Sequence, residues 1–284
     1  MNCGTGMIPR DFEPDLAFDL LHVSDSHFWG IEKWDRGRLV AWQRMEAAVA
    51  AEINAGRRRP QAILFTGDLV ETPWSLRPFR TGVSALLGLG KACRLVDDVD
   101  TEWPRGPKPP AAWWQFYGTS LFMVPGNHDT YWFGLRLLKH SLRRYMRYLL
   151  TDEQQVSWAT GAVLPVACRG PLQLLMLDST GAPAFFGSAR GGVDLEHGVP
   201  RNLPERAGAL SIALMHGHPV QPPYHISGAD QESQMVLENA GRLMKNLVDL
   251  GVRLIVHGHR HYPAVYGLTM QSSEAEPYAR HLVI

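Results

Sequence analysis

Five short apolar runs in this chain end abruptly in residues that can bind a metal or move a proton. The run that ends at Val124 opens into Pro125-Gly126-Asn127-His128-Asp129, and a short apolar run of this kind is typical of a buried strand. Because the carboxyl ends of strands in an open α/β sheet face the ligand crevice, polar residues there are placed to act together. We therefore predict that all five ends meet at one site. The other four runs end in Asp25-Ser26-His27, Gly67-Asp68, His216-Gly217-His218 and His257-Gly258-His259-Arg260-His261.

The composition permits a large core and excludes a global attraction to polyanions. The chain has 284 residues, of which 45% are hydrophobic, enough for a substantial core. Lysine plus arginine equals aspartate plus glutamate, at 28 each, so no net field recruits nucleic acid or a membrane surface. The three cysteines match no zinc spacing and indicate reduced thiols. Without a signal peptide or a long apolar stretch, we expect a cytoplasmic protein with no membrane segment.

The hydrophobic pattern predicts alternating strands and helices in one domain over residues 1–284. A loose lead-in is expected over 1–16 and a long loop over 181–206. Strands are predicted over 17–24, 62–66, 121–124, 172–177, 210–215, 252–256, 264–268 and 281–284, and helices over 38–55, 78–97, 133–150 and 230–250.

Two aromatic stretches lie outside this alternation. Residues 28–37, which include Trp29 and Trp34, predict a loop. The cluster over 113–117 follows a proline-rich loop, and we expect it to cover the core rather than to line a substrate pocket.

The polar ends supply a mixed set of oxygen and imidazole ligands without a thiolate, which suits Mn, Fe or Zn. The i, i+2 spacing of Asp25 and His27 lets both side chains point the same way as the chain leaves a strand. Two divalent ions about 3.5–4 Å apart, with an anionic ligand between them, can run displacement at phosphorus. The candidate ligands are Asp25, His27, Asp68, Asn127, His216 or alternatively His218, His259 and His261.

In this order the motifs resemble the calcineurin-like metallophosphoesterase family, whose pattern is D-x-H, G-D, G-N-H-[DE], a strand-ending H and G-H-x-H. The resemblance runs from residue 17 to about 270. It implies an α/β fold built as a four-layer α/β/β/α sandwich with two mixed β-sheets. It also implies two divalent metal ions and hydrolysis of a phosphoester by a metal-bridging hydroxide.

The resemblance assigns a role to each matched residue. His128 would contact the phosphate and protonate the leaving group as general acid, with Asp129 holding its orientation. Many family members read H-H-P where this chain reads His216-Gly217-His218-Pro219. Alignment on the strand end selects His216 as ligand and leaves His218 a supporting or substrate-contacting role. The first metal would be held by Asp25, His27 and His261, the second by Asn127, His216 and His259, and Asp68 would bridge them.

Three functions remain open at this level. The favoured one is a phosphodiesterase or phosphatase that acts on a small phosphoester such as a nucleotide. A nuclease is the second, because the predicted helix over 133–150 carries a basic face that could follow a phosphate backbone; zero net charge favours a solvated face instead. A metal-bearing scaffold for a protein partner is the third, and the presence of His128 and Asp129 argues against it. The sequence leaves the oligomeric state open. The basic face comprises Arg136, Lys139, His140, Arg143, Arg144 and Arg147.

Overall fold

A computed structural model gives the arrangement of most of the chain. The predicted helix over 133–150 falls outside the described residues except at Tyr148 and Leu149, as do the lead-in over 1–16 and residues 181–190 of the long loop. The described residues are 18–73, 75–97, 103, 108–130, 148–149, 166–169, 172–180, 191–204, 208–220, 236–259, 261, 265, 267–273 and 276–283.

The first sheet consists of three parallel strands in the order β1-β2-β3 among the described residues. Leu20 pairs with Ala62, and Ile63 pairs with Leu121, so all three strands end at the same edge. Helices cross between the parallel strands, as parallel pairing requires. The elements are β1 Leu20–Val23, α1 Glu32–Asn54, β2 Ala62–Phe65, α2 Leu76–Ala92, α3 Ala111–Phe116, β3 Leu121–Met123 and the single turn α4 Asn127–Thr130.

The second sheet is mixed, with the strand order β4-β5-β6-β7-β9-β8. Its centre, β5-β6-β7, is parallel, while the pairs β4/β5 and β8/β9 are antiparallel. The elements are β4 Val166–Arg169, β5 Leu172–Met176, β6 Leu210–Leu214, α5 Ala240–Asp249, β7 Leu254–Val256, β8 Gly267–Ser273 and β9 Glu276–Val283.

Alternate residues of the central strands belong to different apolar clusters, as the period of two in a strand dictates. In β2, Ile63 and Phe65 pack with side chains of α1, α2 and α3, whereas Ala62 and Leu64 pack with Ile212 and other residues of the second sheet. A third cluster joins the second sheet to α5. Burial of these strands on both faces explains their continuous apolar sequence.

The aromatic stretch over 113–117 covers the core, as expected from the sequence. Trp113 and Phe116 lie on α3, are fully buried and belong to the cluster between the helices and the first sheet. Among the helices in the described part of the chain, none is both long and apolar enough to cross a membrane.

Helix α1 begins at Glu32, six residues earlier than predicted, so the loop expected over 28–37 ends at residue 31. The reason is Asp35, whose side chain is buried. Its carboxylate fixes the entry to the helix by accepting three backbone N–H groups, those of Trp29, Gly30 and Ile31, at 2.7–3.2 Å.

Two other helix boundaries differ from the prediction. Helix α2 ends at Ala92 rather than at residue 97, because Arg94 takes a left-handed backbone conformation with φ of 57° and so terminates the helix. The helix predicted over 230–250 begins at Ala240 within the described residues, since residues 236–239 form a bridge and a turn. Strand β9 starts at Glu276, five residues before its predicted start.

Candidate metal centre

The ends of β2, β3, β6 and β7 bring four predicted ligands into one buried cluster. The Nε2 nitrogen of His216 lies 3.1 Å from Oδ2 of Asp68, 2.9 Å from Oδ1 of Asn127 and 3.0 Å from Nδ1 of His259. Asp68, His216 and His259 are each at most 5% exposed. Their ligand atoms are close enough together to hold a metal ion.

The remaining predicted ligands form a second group beside the first. Nε2 of His27 lies 3.0 Å from Nε2 of His261, and Oδ1 of Asp25 lies 3.6 Å from the same atom of His261. Oδ2 of Asp68 is 3.7 Å from Nε2 of His27. The Asp68 carboxylate thus lies between the two groups, where an anionic bridge between two cations would stand.

The structure places His216 and His218 in different surroundings. His216 lies in the cluster through Nε2, while its Nδ1 lies 2.7 Å from the backbone carbonyl oxygen of Thr66. The buried ring of His218 packs instead against the ring of His257, with 4.3 Å between the ring centroids. Of these two histidines, the strand-ending one is therefore the one that lies among the other candidate ligands.

Several residues at the site have a left-handed backbone conformation, with positive φ, that residues other than glycine rarely adopt. Six non-glycine residues of the described chain have positive φ, and five of them are predicted ligands. Such a conformation costs on the order of 1–3 kcal/mol per residue when it is strained, and such residues cluster at functional sites. The five are Asp25, His27, Asp68, His259 and His261, with φ between 50° and 78°.

Cross-strand hydrogen bonds hold these turns in place. The backbone N–H of Asp25 donates to the carbonyl of Gly67 and that of His27 to the carbonyl of Asp68, at 3.0 and 2.9 Å. The Asp25 carboxylate in turn accepts the N–H of His259. Each of these turns is therefore held by hydrogen bonds to the turn after another strand.

Two motif glycines are required by close approach. A Cβ on Gly126 would overlap the carboxylate of Asp68, and a Cβ on Gly258 would overlap the hydroxyl of Ser24. Both contacts join one strand end to the next, so the glycines allow the ligand-bearing turns to pack together.

The residues present fit a pair of divalent cations. Three polar atoms converge on Nε2 of His216, although that nitrogen carries at most one proton. Nδ1 of His259, which faces Nε2 of His216, offers a lone pair to a cation when the ring proton is on Nε2. Imidazole, carboxylate and amide donors without thiolate suit Mn, Fe or Zn, and the His/Asp groups here are typical of a dimetal site.

The charges of the buried cluster are strongly coupled. Burial by itself would lower the pKa of His216, but the adjacent Asp68 carboxylate outweighs it and raises that pKa to about 9. Burial would raise the pKa of Asp68, but His216 and the neighbouring histidines hold it well below its usual range. Burial, together with His216, lowers the pKa of His259 to about 3. His259 is therefore a neutral imidazole, which is the form that binds a metal.

His128 stands at the rim of this centre. Its backbone N–H donates to Oδ1 of Asp68 at 2.8 Å, and its ring meets that of His27 edge-on with 4.7 Å between centroids. The His128 side chain is 37% exposed, so it is open to a ligand. This placement next to the ligands, on a turn fixed by Asp68, is what a residue acting on a bound phosphoester requires.

Asp129 is placed differently from the expectation that it orients the His128 ring. It is fully buried, and its carboxylate accepts the backbone N–H groups of Val70 and Gly126 at 3.0 and 2.9 Å. Burial and the nearby charge of Asp68 raise the pKa of Asp129 to about 7. The carboxylate thus ties the turn after β3 to the segment after β2.

The residue beside the His128 ring is Glu71, which the sequence reading missed. Nδ1 of His128 lies 3.0 Å from the carbonyl oxygen of Glu71 and 3.7 Å from its carboxylate. The same carboxylate lies 3.0 Å from Nδ1 of His27. The available signal was an acidic residue three positions after Asp68, on the same strand exit.

Ser179, at the end of β5, is a second missed residue. Its hydroxyl oxygen accepts the backbone N–H groups of His216 and Gly217, at 3.0 and 2.7 Å. Ser179 is buried and fixes the turn that presents the His216 ring. A serine after an apolar run gives no pattern from which this contact can be predicted.

Comparison with known proteins places this centre in a family. The model of the calcineurin-like phosphoesterases matches residues 18–263. The chain belongs to the calcineurin-like phosphoesterase family. It is also 25% identical, over 277 residues, to a protein of Mycobacterium tuberculosis described as a cAMP/cGMP dual specificity phosphodiesterase; the match covers 95% of this chain and 71% of that protein. As a calcineurin-like phosphoesterase, the chain has a family-typical set of candidate metal ligands at its strand ends.

Proposed function

We propose that this chain is a dinuclear metal-dependent phosphodiesterase that hydrolyses small phosphoesters, nucleotides among them. The observation that carries the proposal is the position of Asp68, whose Oδ2 lies between Nε2 of His216 and Nε2 of His27. One carboxylate shared by two ligand groups is the arrangement that two adjacent cations need. The relative described as a cAMP/cGMP phosphodiesterase favours a diester over a monoester.

In this proposal each ligand group holds one ion. Asp25, His27 and His261 would hold the first, Asn127, His216 and His259 would hold the second, and Asp68 would be shared. When bound, the ions would supply positive charge to the phosphoryl oxygens and would lower the pKa of a bound water molecule to near neutral. The separation of the core into three clusters supports the four-layer α/β/β/α arrangement.

The residues of the chain supply orientation and a proton. His128, held at Asp68 through its backbone, would donate a proton to the leaving alkoxide. The Glu71 carboxylate, 3.0 Å from Nδ1 of His27, would favour the tautomer protonated at Nδ1, which leaves Nε2 free for a metal. The buried carboxylate of Asp129 would keep the His128 turn against the strand exit of β2.

The proposed activity is tested with chelator-treated protein reconstituted with Mn, Fe or Zn. The substrates are cyclic nucleotides, aliphatic phosphodiesters, phosphomonoesters, DNA and RNA. We expect metal-dependent hydrolysis of small phosphodiesters, with lower activity on monoesters and on nucleic acids. Preferential cleavage of DNA or RNA would contradict the proposal, as would hydrolysis that persists without metal.

We expect Glu71→Gln to weaken the ion held by His27 and to reduce turnover, because a neutral amide stabilises the tautomer protonated at Nδ1 less than a carboxylate does. Loss of a supporting carboxylate of this kind typically costs 10- to 100-fold in metal affinity or activity. Metal content and kcat are to be measured on the same samples. The matched control is Glu52→Gln, since Glu52 is an exposed surface residue paired with Arg57. Equal metal affinity and kcat in Glu71→Gln and the control would remove this role.

Substitution of Ser179 tests how the His216 turn is held. We expect Ser179→Ala to weaken the ion bound through His216, because two backbone N–H groups lose their common acceptor; the effect should be about 10-fold or more in metal affinity. Ser179→Thr keeps the hydroxyl and should retain most of the affinity. The measurement is a competition titration with a metal indicator. If the alanine and threonine variants bind metal equally, the hydroxyl does not position His216.

A further inference from the structure

Two tryptophans that follow the candidate ligand His27 in the sequence form a partly exposed aromatic pair. The rings of Trp29 and Trp34 meet edge-on, with 4.9 Å between centroids. Trp34 is 52% exposed and is the one aromatic residue among the large hydrophobic side chains exposed in the described residues. Ile31, between them in sequence, is 42% exposed. The catalytic roles proposed above use none of these side chains.

The segment that carries the pair is held rigidly. Asp35 accepts the N–H groups of Trp29, Gly30 and Ile31. Gly30 has a φ of +71°, and its α-carbon packs against the backbone of Arg77 and Pro78, where no side chain fits. A surface fixed in this way loses little conformational entropy when it binds a ligand. The exposed rings are therefore preorganised.

The pair is joined to the metal centre by short contacts. The N–H of Phe28 donates to the carbonyl of Leu69, and the N–H of Glu71 donates to the carbonyl of Phe28, so Trp29 leaves the centre beside Glu71. Glu71 lies 3.0 Å from the His27 ring.

The Arg38 side chain contacts both the backbone that carries Trp34 and the glutamate beside the centre. The Arg38 guanidinium lies 3.4 Å from the carbonyl oxygen of Trp34 and 3.9 Å from the carboxylate of Glu71. A positive charge therefore lies within 4 Å of the backbone of Trp34 and of Glu71, the residue that contacts the His27 ring.

We propose that Trp34, braced edge-on by Trp29, is a stacking platform for the base of a nucleoside phosphoester whose phosphate lies at the metal centre. This inference rests on the proposed function and names its substrate class. A flat heteroaromatic base matches an indole face, and stacking of this kind tolerates any base. The Arg38 guanidinium is placed for the anionic or hydroxyl-bearing part of the same ligand.

The test compares two phosphodiesters that differ in the presence of a base, 3′,5′-cyclic AMP and glycerophosphocholine, on metal-loaded protein. Trp34→Ala should raise the KM for cyclic AMP roughly 5- to 150-fold, the range that loss of one stacked base predicts, and should leave kcat/KM for glycerophosphocholine unchanged. Trp34→Phe should keep the KM for cyclic AMP close to the wild-type value. Val40→Ala is the matched control, because Val40 lies on the same helix and is 40% exposed.

The outcomes separate this inference from the proposed function. An unchanged KM for cyclic AMP in Trp34→Ala, or an equal loss on both diesters, overturns the platform, and loss of self-association with unchanged KM would assign the surface to a second copy of the chain. If the wild type hydrolyses none of the small phosphodiesters, the proposed function fails, and the platform is then judged by equilibrium binding of AMP. Weaker AMP binding by Trp34→Ala than by the Val40→Ala control supports the platform, and equal binding overturns it.

Discussion

Replacement of His128 by alanine should leave both metal ions bound and remove most of the turnover on alkyl phosphodiesters. The side chain is not among the proposed ligands, and the contact that fixes its turn is made by its backbone N–H to Asp68, which alanine retains. General acid catalysis by a positioned histidine contributes typically 10²- to 10⁴-fold. A loss of about that size in kcat is therefore expected.

The nature of the leaving group makes this result diagnostic. A nitrophenolate leaves as a stable anion, so nitrophenyl esters should lose much less in His128→Ala than alkyl esters do. A moderate rise in KM is expected for both, because a phosphate contact is lost as well. His197→Ala is the control, since this exposed histidine pairs with Asp194. Equal losses on both ester types would mean that His128 binds the substrate without protonating the leaving group, and loss of metal would make His128 a ligand.

Replacement of Asp68 by alanine should have the largest effect on metal content. Its Oδ2 is shared between the two ligand groups and its Oδ1 accepts the N–H of His128, so both ions and the turn that carries the proposed acid depend on one side chain. We expect loss of more than one equivalent of metal and of nearly all hydrolysis. Metal analysis of the purified variant, with circular dichroism to confirm folding, provides the measurement.

Two further variants make the Asp68 result specific. Asn127→Ala removes a candidate ligand that lies 2.9 Å from Nε2 of His216, and it should chiefly weaken one ion. Asp68→Asn keeps an acceptor for the His128 N–H but loses the negative charge, so it should retain the fold and still lose metal. Two full equivalents of metal in either Asp68 variant would contradict its place between the ions.

The candidate site residues that could be predicted from the sequence are those that directly follow a predicted strand. Asp25, Asp68 and His216 each follow an apolar run by one to three residues. Within each sheet, parallel strands bring such residues to the same edge, and the packing of the two sheets against each other joins the two sets. The i, i+2 pairs needed only short turns. This is why every predicted ligand lies in one of the two groups, although the strands that carry them are far apart in sequence.

The residues that hold the site were less accessible to sequence reasoning. Asp35, Ser179 and Asp129 act on backbone N–H groups, and the direction of an N–H group depends on turn geometry that residue type does not determine. Asp129 shows the difficulty most clearly, because its position next to His128 suggested a contact with that ring. Its carboxylate instead binds the backbone of Val70 and Gly126.

The central claim is that two divalent ions share Asp68, and metal stoichiometry tests it most directly. Protein stripped with a chelator is titrated with Mn, Fe or Zn, and the bound metal per chain is measured together with hydrolysis of a small phosphodiester. We predict two ions per chain at saturation, with hydrolysis that returns as the second site fills. Saturation at one ion per chain, or full hydrolysis by the stripped protein, would contradict the claim.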